Sequence, residues 1–192
     1  MISSTKRGSG LDTRMSIERT AAAVFRRQGF GASSLEDIAR PLGITRAAVL
    51  HHFGSKAALL EAIVTPLFAE LDDLLDRMPT DGPVTAREQR RFFSHFVEIA
   101  CDNRDASALL VRDITVHQHL PPEMQIADRV TRYVRLAVAN NEPDPQAPVR
   151  ALAAIGAITR PLSAPDELVD LSGPESRRVL VDCAMAALRS GR

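Results

Sequence analysis

SLEDIARPLGITRAAVLHHF, residues 34–53, holds two helix starts and one forced turn within a short span. Ser34 is a suitable N-cap, and Asp37 three residues on completes a capping-box-like start. Ile38 and Leu42 lie four apart and face inward, while Ala39 is small enough for a second helix to cross closely. Gly43 falls where the chain must turn sharply with positive φ. Ile44 plugs the gap between the helices, and Thr45 caps a second helix that turns Val49 and Phe53 to the core. Its outward residues are then Arg46, Ala47, Leu50 and His51.

A short second helix, braced by a first and projecting its N-terminal side chains, is what reading the major groove of DNA requires. Arg46 can pair bidentately with guanine, and Thr45 or Ala47 can touch bases or thymine methyls. Ser55 and Lys56 open the next helix, whose amides and ammonium suit a phosphate. The candidate DNA-facing set is Ser33, Ser34, Thr45, Arg46, Ala47, Leu50, His51, His52 and Lys56. A plain helical hairpin is the competing reading. Against it, apolar, small, glycine and cap positions agree within one segment, and the surrounding charge is positive. The formal net charge is zero, yet residues 1–60 hold nine Lys or Arg against four Asp or Glu, leaving that part at +5 and the remainder at −5.

At these residues the chain resembles the tetracycline-repressor (TetR) family of bacterial transcriptional regulators. The likeness runs from about Arg14 to Leu60, through AAAVFRRQGF, SSLEDIA, LGIT, HHF and SKAALLEAI. It implies an all-α homodimer in which three N-terminal helices bind a pseudo-palindromic operator in double-stranded DNA. A larger C-terminal bundle would hold a small-molecule effector and the dimer interface, and effector binding would move the fourth helix and release the DNA. The alternative is a dimer that binds DNA without an effector. The expected division is residues 11–54 for DNA binding and 55–192 for ligand binding and dimerisation. Two positions depart from the family pattern. Leu50 stands where a phosphate-touching tyrosine is common, and Pro41 enters the first helix of the motif, where it removes one backbone donor.

Helical periodicity continues along the chain, with no sustained alternation of the kind strands show, so about nine helices are expected. Met15, Ile17, Ala21, Val24 and Phe25 form a stripe ending at Gly29. From Ser55 a long helix carries Leu59, Leu60, Ile63, Val64, Leu67, Phe68, Leu71, Leu74 and Leu75 on one face, with a kink expected at Pro66. Further helices are expected over about 84–103, 105–118, 121–140, 146–159 and 175–189, with an irregular 161–174 containing three prolines.

Phe92, Phe93 and Phe96, with His95 among them, form the densest aromatic cluster, and Arg112, His117, Met124 and Tyr133 can add polar or adaptable groups. Together they are the candidate pocket for a small apolar or amphipathic effector. The small residues Ala151, Ala153, Ala154, Gly156 and Ala157 would let a partner helix approach. The dimer candidates are Leu152, Ile155, Gly156 and Ile158, joined by Val179, Leu180, Cys183, Ala187 and Leu188 on the last helix.

Other classes find little support. Neither a glycine-rich phosphate loop nor G-x-S-x-G nor H-E-x-x-H is present, so an enzyme is not expected. His117 and His119 would point in different directions on a helix, and no metal site or cofactor is expected. The apolar runs fall short of the roughly 18 residues of a membrane span, and the opening MISSTKRGSG lacks a signal-peptide core. Cys101 and Cys183 form no CxxC motif and read as small buried hydrophobes, so the expected setting is cytoplasmic, without membrane contact.

Overall fold

A computed structural model describes residues 5–78, 84–124, 126–138, 144–165 and 167–189. Among them are nine α-helices and no strand: α1 (Thr5–Gln28), α2 (Leu35–Ala39), α3 (Arg46–Phe53), α4 (Lys56–Asp76), α5 (Ala86–Asp102), α6 (Arg104–Arg112), α7 (Ile126–Val138), α8 (Ala147–Leu162) and α9 (Pro174–Arg189). Three 3₁₀ turns, Arg40–Leu42, Ile114–His119 and Pro122–Met124, punctuate them.

The stripe on α1 buries Ile17, Ala21, Val24 and Phe25, whereas Met15 lies outside it and is exposed. Gly29 ends the helix at φ 85°, its amide donating to the Phe25 carbonyl at 2.8 Å. On α4 the spaced leucines, with Val64 and Phe68, are buried, and the helix runs on through Pro66, which is exposed. The donor that proline lacks is therefore missing on the solvent side, where water can satisfy the carbonyl left over. α1 packs on α2, α4 and α6. α8 lies along α9, which also covers α5, and α7 rests on α8 and α4. One apolar cluster runs from Ile17 through Val49, Leu60, Phe93 and Leu109 to Leu188, so the N-terminal helices and the bundle share a core. Arg129 fastens α7 to α4 with a two-pronged pair to Asp72 at 3.0 and 2.6 Å, its guanidinium 4.4 Å from the centre of the Phe68 ring.

Several boundaries differ from the periodic reading. The expected helix over 105–118 stops at Arg112, because the Asp113 carboxylate takes the Thr115 amide and hydroxyl and the chain tightens into a 3₁₀ turn. The segment from Pro121 opens as another such turn and becomes α7 only at Ile126; its expected end at Asn140 lies outside the described residues. α8 does not end before Pro161 but carries it in its last turn. Ile158 and Leu162, four apart and both wholly buried, hold that turn in register. The stretch that follows is tied down by Arg104, whose guanidinium donates to the carbonyls of Ala164 at 3.2 Å and Val169 at 3.3 Å.

Candidate nucleic-acid interface

The two-helix unit is assembled from local hydrogen bonds. The Ser34 hydroxyl accepts from the Asp37 amide at 3.2 Å, and the Asp37 carboxylate accepts from the Ser34 amide at 2.9 Å, closing a full capping box. The same carboxylate accepts from the Ser34 hydroxyl at 2.6 Å, and these bonds hold Asp37 below the usual carboxylate range. Pro41 does no damage. It falls in the 3₁₀ turn after α2, where Gly43 at φ 64° reverses the chain and the Ile44 amide donates to the Ala39 carbonyl at 3.2 Å. Ala39 and Ile38 are wholly buried at the crossing, with Ile44 and Leu42 half-buried against them.

Thr45 then caps α3, its hydroxyl accepting from the Ala48 amide at 3.1 Å. Val49 and Phe53 turn inward, while Thr45, Arg46, Ala47 and His51 stand in solvent. The far end of α3 is clamped to α1. Arg14 donates to the His52 carbonyl at 2.9 Å and lies 4.2 Å from the centre of the Phe53 ring, a cation placed at a helix C-terminus. In the sequence Arg14 is only one positive charge among several, because nothing local announces a partner 38 residues away.

The structure corrects members of the DNA-facing set. Lys56 turns inward: its ammonium donates to the carbonyls of Phe30 and, at 2.5 Å, Ser33, and lies 4.3 Å from the centre of the Phe30 ring. Burial pulls this lysine below its usual range, with the charges of Asp113 and Asp37 opposing the shift. Ser33 is buried, its hydroxyl donating to the Phe30 carbonyl at 2.9 Å. Leu50 is half-buried against the core, and His52 is half-buried beside Phe53. What remains fully presented is Ser34, Thr45, Arg46, Ala47 and His51. Arg40 adds to them, with 72% of its side chain exposed and only a loose 3.9 Å pairing to Asp37. Its place in the turn, outside both helix patterns, hides it from a periodic reading.

The pocket candidates divide. Phe92, Phe93, Phe96 and Tyr133 do converge, with Phe92–Phe93 ring centres 5.3 Å apart and Phe96–Tyr133 5.5 Å apart. All four are buried, and the Tyr133 hydroxyl has no hydrogen-bond partner among the described residues, its pKa raised chiefly by burial. The other four sit elsewhere. His95 is exposed and bonds the Arg91 carbonyl, though with Phe92 it lines a cavity of about 200 Å³. His117 bonds the Leu110 carbonyl, Arg112 is exposed, and Met124 packs half-buried at the edge of the core. Spacing within one helix locates the three phenylalanines but cannot place residues from other helices.

The dimer candidates divide as well. Ile158, Leu180 and Leu188 are buried in the chain's own core, so they cannot also meet a partner. Leu152, Val179 and Cys183 are exposed, with Ile155, Gly156 and Ala187 half-buried. Val149, 61% exposed, adds to the apolar surface of α8. Cys183 is thus not the buried hydrophobe its residue type suggests, whereas Cys101 is.

A capped, solvent-facing second helix, set across a left-handed glycine turn on an all-helical chain, defines a helix-turn-helix protein. No described helix is long and apolar enough to cross a membrane. Residues 17–63 match the family model for bacterial regulatory proteins of the tetR family, from α1 into α4. The N-terminal segment is where this chain is similar to that family. It is 36% identical over 63 residues to the HTH-type transcriptional regulator TtgR of Pseudomonas putida, a match spanning 33% of this chain and 30% of that relative's length. Likeness of fold extends further. Mycobacterium smegmatis AmtR superposes with a TM-score of 0.72 at 20% identity, covering 91% of this chain and 85% of that one. PfmR of Thermus thermophilus, a TetR-family regulator, gives 0.63 at 22% identity over 92% of this chain and 98% of its own.

Proposed function

We propose that this chain is a dimeric, sequence-specific DNA-binding transcriptional regulator, a repressor released from its operator by a small-molecule effector. The observation that carries it is the exposed N-terminal end of α3, with Thr45, Arg46 and Ala47 in solvent on a helix braced by α2 and clamped at its far end by Arg14. Arg46 would read a base edge, and Ser34, Arg40 and His51 would meet phosphates. Two copies joined through the Leu152 and Val179 faces of α8 and α9 would set their heads one helical turn apart, about 34–36 Å, or a multiple of it.

A gel shift against the region upstream of the protein's own gene tests this. Binding should weaken steeply with salt, each neutralised phosphate adding about −0.9 to the logarithmic slope. Arg46→Ala should reduce discrimination between operator and random duplex by about 1–3 kcal/mol if it pairs with guanine. Affinity equal to that for random duplex overturns the reading, and an equal loss on both sequences demotes Arg46 to a phosphate contact.

The ring-to-ring packing of Phe92, Phe96 and Tyr133 favours a second reading, a DNA-binding dimer that needs no effector, because those side chains already fill one another's surroundings. A thermal-shift screen of varied apolar metabolites separates the two. A ligand that raises the melting temperature and weakens DNA binding supports release; none doing so supports the constitutive regulator.

A further inference from the structure

The turn between α1 and α2 is held from the bundle side by one carboxylate. Asp113 Oδ2 accepts the Phe30 amide at 3.1 Å across 83 residues of sequence. Oδ1 accepts the Thr115 amide at 3.0 Å and its hydroxyl at 2.5 Å. The group thus joins a backbone donor of the α1–α2 turn to two donors of the 3₁₀ strap that follows α6, and Val116 of that strap is wholly buried. Charge-assisted bonds of this kind are short, directional and stronger than neutral ones. Gly29, at φ 85°, brings the turn so close that a Cβ there would lie 3.7 Å from Oδ2.

Phe30 is held from three elements at once. Its ring meets Phe25 of α1 edge-on at 5.1 Å, His119 of the strap at 4.9 Å and the Lys56 ammonium of α4 at 4.3 Å. Its carbonyl accepts from Lys56 and from the Ser33 hydroxyl. Ser33 leads directly into Ser34, the cap of the helix that braces α3. A shift of the strap therefore reaches α2 through a short, hydrogen-bonded path. Another polar tie between α1 and α6, Arg26 to Asp105 at 2.9 Å, is partly exposed and contributes little by comparison.

We propose that Asp113 is a positioning residue for DNA recognition: by gripping the Phe30 turn it sets the angle of the reading head on the bundle, and so the spacing of two heads in a dimer. This rests on the dimeric DNA-binding reading above. Its distinctive consequence is that loosening Asp113 penalises a duplex with two half-sites, where both heads must be placed together, and spares a duplex with one.

The probe is the duplex that the full-length protein enriches from a random pool, compared with the same duplex reduced to one half-site. Asp113→Asn should weaken full-site binding about tenfold while half-site binding stays within about twofold. Amide exchange at Phe30 should quicken as well. Asp105→Asn, which breaks the neighbouring pair without touching the turn, should leave the ratio unchanged. Should Asp113→Asn not fold, Thr115→Val keeps the carboxylate but removes the hydroxyl that orients it, and should give the same bias at about threefold. Equal losses on both duplexes, or an unchanged ratio in both variants, overturn the proposal alone. Failure of the unaltered protein to enrich any duplex overturns the DNA-binding reading, and the proposal falls with it.

Discussion

α2, α3 and α4 each begin behind a hydroxyl N-cap, Ser34, Thr45 and Ser55, whose oxygen accepts an amide three residues on. In the bundle α5 keeps such a cap in Thr85, but α6 and α8 begin at Asn103 and Gln146 with no side-chain cap bond. Distant partners fasten the segments there: Asp113, just after α6, holds the Phe30 amide 83 residues away, and Arg104 holds the stretch beyond the close of α8. The head is therefore written in short-range signals and the bundle more in long-range packing. That difference explains why sequence likeness to TtgR stops within 63 residues, while the fold shared with AmtR runs over 91% of the chain. Many apolar sequences satisfy a helix bundle, but few satisfy three caps and a left-handed glycine in fixed order.

The sharpest way to break the contrast is to ask whether head and bundle are energetically separate. Phe25 in α1 and Phe93 in α5 are each 1% exposed and belong to one apolar cluster. Phe25→Ala and Phe93→Ala should each cost about 3–5 kcal/mol in denaturant unfolding, and both should shift a single transition. Two separable transitions, with each variant moving only one, would show that the shared core does not couple the halves.

A smaller effect is expected at the turn. Gly43 has φ 64° and open space where a Cβ would go, so Gly43→Ala adds backbone strain without a clash. It should cost about 1–2 kcal/mol and lower DNA affinity by disturbing the α2–α3 crossing. An unchanged denaturation midpoint would mean the turn relaxes elsewhere.

The two capping boxes, Ser34 with Asp37 in the head and Thr85 with Glu88 at the start of α5, offer a matched pair. Ser34→Ala and Thr85→Ala should each cost about 1 kcal/mol. Amide exchange should quicken in the first turn of the affected helix, and only Ser34→Ala should weaken DNA binding. Equal effects on DNA would mean that the start of α5 is coupled to the reading head.

The gentlest probe is acid. Asp37, Glu88 and Asp113 are each held below the usual carboxylate range, chiefly by hydrogen bonds from Ser34, Thr85 and Thr115. A carboxylate with a depressed folded pKa adds stability above its unfolded value, about 4, and loses it as pH falls through the folded value. Denaturation midpoints should therefore be flat from about pH 7 to 5 and decline below about 4. Asp113→Asn should flatten part of that decline; an identical profile would show that the carboxylate is not engaged in solution.

Legibility in the sequence follows the range of the interaction. Ser34, Gly43, Thr45, Val49 and Phe53 are readable because each acts on residues within one or two turns, and the structure places each in its expected role. Lys56 misleads for the same reason. A lysine at a helix start suits a phosphate, and nothing nearby reveals that the Phe30 carbonyl and ring, 26 residues earlier, claim the ammonium. Ile158, Leu180 and Leu188 look partner-facing because apolarity marks a face for burial without saying whose surface buries it.

By itself, the order of residues determined the helical class, the turn at Gly43 and the exposure of Thr45, Arg46 and Ala47, since periodicity and capping act through neighbours along the chain. Only the folded chain decided that Lys56 turns inward, that Asp113 grips the Phe30 turn and that Tyr133 joins the phenylalanines of α5. Those outcomes depend on which helices come to lie side by side, and local hydrogen bonding carries no record of that.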